Sequence, residues 1–67
     1  MNYKSKLAEL IDGAVAECIG YGAGRLQDDR SGVAASAEWA ENERDIEITV
    51  YENNVVRLVY IERDVQN

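Results

Sequence analysis

Val33-Ala34-Ala35-Ser36-Ala37-Glu38-Trp39-Ala40, Ile46-Glu47-Ile48-Thr49-Val50-Tyr51 and Val55-Val56-Arg57-Leu58-Val59-Tyr60-Ile61 decide the fold of this chain. In the first two blocks apolar residues fall at every second position, the period of a strand with one buried face. The separators, Glu41 to Asp45 and Glu52-Asn53-Asn54, are short and polar, as hairpin loops are. Strands are therefore expected at about 33–40, 45–51 and 55–62.

Register follows from asking which pairing gathers apolar residues on one face. Trp39 opposite Ile46 sets Ala37 opposite Ile48 and Ala35 opposite Val50. Val50 opposite Val56 sets Ile48 near Leu58 and Ile46 near Tyr60, with Asn54 left-handed in a three-residue loop. A two-residue Asn53-Asn54 turn is the competing arrangement. The face so formed carries Val33, Ala35, Ala37, Trp39, Ile46, Ile48, Val50, Val56, Leu58 and Tyr60.

Upstream, Tyr3, Leu7, Leu10, Ile11, Ala14, Val15, Cys18 and Ile19 recur at helical spacing. A helix is expected over about 3–19, with Asn2 as its N-cap and Gly20 as its stop. Lys4 and Lys6 near its start and Glu17 near its end oppose the macrodipole. Gly13 in its middle costs ~1 kcal/mol relative to Ala. Packing has to hold such a helix, and the apolar sheet face is what it can pack on. Residues 20–32, interrupted by Gly20, Gly22, Gly24 and Gly32, are expected to be a loop. The expected architecture is α+β, one domain over residues 1–67: a helix on a three-stranded antiparallel β-meander (αβββ).

Composition bounds the function. The 67 residues include 13 acidic and 7 basic ones, a net charge of −6. Binders of nucleic acid cluster Lys and Arg to neutralise phosphates, and here the basic residues are spread out. Direct nucleic-acid binding is not expected. The longest uncharged runs are too short to span a membrane, and the first residues lack the apolar core of a secretory leader. One cysteine, Cys18, allows no internal disulfide, and a chain without histidine offers no zinc ligand set. A cytoplasmic, reducing compartment is the expectation.

No catalytic constellation emerges, and no enzyme activity, cofactor or metal is expected. Gly20-Tyr21-Gly22-Ala23-Gly24-Arg25 has the glycines of a phosphate loop, but it follows a helix instead of a strand. Tyr21 and Arg25 are its possible ligand contacts. Asp28-Asp29 lacks the spacing of a calcium loop and reads as a turn. Cys18 has no histidine to activate it.

The second sheet face, with Ser36, Glu38, Glu47, Thr49, Tyr51, Val55, Arg57, Val59 and Ile61, is polar except on the last strand. An apolar edge is a pairing hazard unless covered. The expected function is therefore a non-enzymatic protein-interaction module that self-associates as a homodimer, or docks on another protein, through Tyr51, Val55, Arg57, Val59 and Ile61. The alternative is an acidic mimic of nucleic acid that inhibits a basic protein, with Glu38, Glu41, Glu43, Asp45, Glu47 and Glu52 as its negative patch. Small size and absence of chemistry suit accessory proteins of phages and mobile elements.

Overall fold

The computed structural model describes residues 3–63. Helix α1 (Tyr3–Tyr21) is followed by four strands, β1 (Ala23–Asp28), β2 (Val33–Trp39), β3 (Asp45–Glu52) and β4 (Val55–Arg63). They form one antiparallel sheet in the order β1-β2-β3-β4. The fold is α+β as expected, but αββββ: the sheet has four strands and not three.

The additional strand lies inside the segment expected to be a glycine loop. Its period-two pattern is Gly24 and Leu26 toward the helix, Arg25 and Gln27 away from it, which is hard to see because glycine fills an apolar position. Gly24 is required there. A Cβ on it would strike the Ala14 carbonyl oxygen and the Glu17 side chain of α1. Leu26 reaches over the helix at Gly13, where a Cβ would meet its terminal methyl. Gly24 on the strand and Gly13 on the helix thus each clear a contact that lets α1 settle low on β1. Glu17 closes the join by accepting a hydrogen bond from the Arg25 backbone N–H, 3.0 Å.

The helix also runs past its expected stop. It continues through Gly20 to Tyr21 and ends at Gly22, which takes the left-handed φ of 96° and donates its N–H to the Cys18 carbonyl at 2.8 Å. The expected cap, Asn2, lies outside the described residues. The core is made of Leu10, Ala14 and Cys18 from α1 against Val33, Ala35, Ala37, Ile46, Ile48 and Val50. Leu7, Ile11, Val15, Ile19, Leu26, Trp39 and Tyr60 pack around it.

The β2–β3 register is the expected one: Trp39 faces Ile46, Ala37 faces Ile48, Ala35 faces Val50. The β3–β4 register is not. The hairpin turns on two residues, Asn53 and Asn54, both left-handed at φ 51° and 68°, as a type I′ turn demands. Val50 faces Leu58 and Ile48 faces Tyr60, with Tyr51 opposite Val56. A β-bulge between these pairs leaves Arg57 as the extra residue. The bulge reconciles the short turn with the apolar pattern. Leu58 and Tyr60 keep the helix side, while Val56 moves to the open side and Val55 to the helix side. No helix in the described residues is long and apolar enough to cross a membrane.

Candidate protein-interaction edge

β4 is an edge of the sheet, and α1 does not reach it. The helix lies across β1 and β2 and touches β3, but no Cα of α1 comes within 8 Å of one in β4. The low seat of α1 on β1 accounts for this, since it draws the helix to the far side of the sheet. Among the described residues six large hydrophobic side chains stay exposed, and five of them belong to β4. They are Val55 (61 %), Val56 (52 %), Leu58 (47 %), Val59 (59 %) and Ile61 (58 %).

These five do not share a face. Val56, Val59 and Ile61 oppose Tyr51, Thr49 and Glu47 on the open side; Val55 and Leu58 oppose Glu52 and Val50 on the helix side. A strand apolar on both sides is the pattern of one buried on both. Between α1 and β4 runs an open groove of about 360 Å³, lined by Ala8, Ile11, Asp12, Tyr60, Ile61 and Glu62. Burial there pushes the Tyr60 phenol above its ordinary pKa, with Glu62 and Asp12 adding to the effect.

Of the expected interface residues, Val55, Val59 and Ile61 line this edge directly. Arg57 rides on the bulge and pairs with Glu52 at 3.3 Å. Tyr51 stands one strand in, beside Val56, with the Arg25 guanidinium 5.2 Å from its ring centre. The sequence-based list left out Val56 and Leu58. The apolar pattern places both in the core: Val56 because the parity register sets it opposite Val50, and Leu58 because it faces the helix side, which α1 leaves uncovered at this strand.

Tyr21 and Arg25 are not brought together. Tyr21 is 89 % exposed at the helix end, whereas Arg25 lies on the open sheet face. With Gln27, Asp28, Asp29 and Tyr51, Arg25 lines a polar cleft of about 160 Å³ beside the two turns. The Asp28 carboxylate in that cleft is committed to its own turn. It accepts from the Ser31 hydroxyl at 2.9 Å and the Arg30 N–H at 3.4 Å, and the Ser31 bond foremost holds its pKa below the ordinary value.

The acidic residues divide. Glu38 and Glu47 are direct cross-strand neighbours on the open face, near the turn that carries Glu41 and Glu43 and leads into Asp45. Glu52 lies at the opposite end of β3, on the helix side. Cys18 is fully buried, and burial, then Glu38, raises its pKa and keeps the thiol protonated. Comparison with known proteins gave no match: no family model fits the chain, and no curated protein or solved structure is significantly similar to it.

Proposed function

We propose that this chain is a small non-enzymatic interaction module of the cytoplasm that docks on protein through β4. The observation that carries the reading is a nine-residue edge strand with exposed apolar side chains on both faces. Such an edge offers unpaired backbone N–H and C=O groups between two apolar flanks, which is what an added strand recognises. Binding of this kind is insensitive to salt and sensitive to charge placed in the strip. The test is a pull-down from cell extract with the wild type and Ile61→Asp. A protein retained by the wild type at high salt and lost from the variant supports the reading. Equal retention by both removes β4 from the interface.

A second reading rests on Glu38 opposite Glu47. Like charges directly across a strand pair destabilise it, and their retention suits an acidic surface that mimics nucleic acid toward a basic protein. Capture lost in high salt and lost on Glu38→Gln/Glu47→Gln, but indifferent to Ile61→Asp, would favour it.

A further inference from the structure

We infer that the strand received by β4 is β4 of a second copy, running antiparallel about a two-fold axis beside Val59. The inference rests on β4 being a docking edge, and it names the occupant. The occupant must bring apolar side chains to both faces of a bare edge, and β4 itself has that character. An axis normal to the sheet makes helix-side residues meet helix-side residues and open-side residues meet open-side ones. Beyond the bulge the sides alternate regularly: Leu58, Tyr60 and Glu62 toward the helix, Val59, Ile61 and Arg63 away from it.

With Val59 on the axis it faces its own equivalent, and Leu58 faces the second copy's Tyr60. Arg57 is the extra residue of the bulge, so Val56 next faces Ile61 and Val55 faces Glu62. Three of these four distinct pairs are apolar with apolar, and Val55 against Glu62 is the exception. The charges also fit. Arg57 pairs with the helix-side residue Glu52 at 3.3 Å, and its place in the ladder falls between the positions facing the second copy's Tyr60 and Ile61, one residue from Glu62. Symmetry repeats the contact, so an Arg57–Glu62 pair flanks the axis on each side. Other registers lose this match. An axis at Tyr60 sets Leu58 against Glu62 and Val56 against Arg63. An axis at Leu58 sets Ile61 against the Asn53-Asn54 turn.

Because each charge pair joins two chains, the proposal is tested by exchanging charges between chains. Wild type should show the mass of two chains by light scattering. Arg57→Glu alone and Glu62→Arg alone each set like charges together twice, which should weaken association by about ten-fold or more. An equimolar mixture of the two variants restores both opposite-charge contacts and should give a mixed dimer by native mass spectrometry. Val59→Lys and Val59→Glu give an independent check with no intramolecular partner to lose. Each variant should be a monomer alone, and the mixture should pair, because only a residue on the axis meets itself. Circular dichroism of every variant confirms that it is folded before it is scored. A wild type that stays a single chain at millimolar concentration overturns the inference, as does failure of both mixtures to form mixed dimers. If the wild type is a monomer while its extract capture is still lost on Ile61→Asp, the second copy is wrong and the docking edge stands.

Discussion

Gly24 and Gly13 show how single residues set the position of an entire helix. Gly24 faces backbone, the Ala14 carbonyl, which cannot move without breaking helix geometry; Gly13 faces only the end of a flexible leucine. Gly24→Ala should therefore cost about 1–3 kcal/mol of stability by overpacking. Gly13→Ala should cost clearly less, because gained helix propensity of ~1 kcal/mol offsets the shift of Leu26. Urea melts of the two variants, side by side, give the comparison. Asp28 makes a second residue-scale prediction. Its folded pKa is depressed, so its contribution to stability is present above the unfolded value of about 4 and fades as pH falls through the lowered one. Ser31→Ala removes the leading cause. The Asp28 carboxyl resonance should then titrate at higher pH than in the wild type, and the acid-side loss of stability attributable to this turn should shrink.

At the scale of elements, the strands with one apolar face were the legible ones. β3 alternates cleanly and β2 does so apart from the buried Ala34, and their pairing follows from Trp39, Ile46 and Ile48. β1 was missed because both of its informative positions are disguised: Gly24 is small where the helix comes close, and Leu26 is a single apolar residue among polar ones. The β3–β4 hairpin was misregistered because a bulge is invisible to a parity argument. Counting in twos from Val50 assumes no extra residue, and Arg57 is one. Its role as a bulge can be tested by removing it. The type I′ turn already sets Tyr51 opposite Val56, so a chain lacking Arg57 should fold with a regular ladder. Cross-strand Hα contacts should join Tyr51 to Val56 and Thr49 to Val59, which keeps Val50 opposite Leu58 and Ile48 opposite Tyr60. A slide of those partners by one or two residues would show that the register depends on something other than the turn. The candidate edge was half legible. Val59 and Ile61 stood out as apolar residues on a face that should be polar. Leu58 did not, since only the offset of the helix leaves it uncovered.

For the whole molecule, a 67-residue chain with one small core has little stability to spare. Pairing through β4 would cover the side chains the helix leaves bare and extend the core across two chains. Amide hydrogen exchange should register this as a concentration effect confined to one side of the sheet. Raising the protein concentration should slow exchange in β4 between Val56 and Ile61 and leave β1 unchanged; Val59→Lys should abolish the dependence. Uniform slowing across all four strands would point to a different contact.

The two ends of the sheet are unlike, and that difference limits growth. β1 is six residues long and presents Ala23, Arg25 and Gln27 outward with Gly24 between them. It has little to offer an incoming apolar strand. A protein with two adhesive edges would polymerise head to tail into fibres. Here each chain has one, so joining two chains consumes both and leaves a polar strand at either extremity. If β4 pairs with β4, the long apolar edge that would be an aggregation seed on another sheet becomes, on this one, self-terminating.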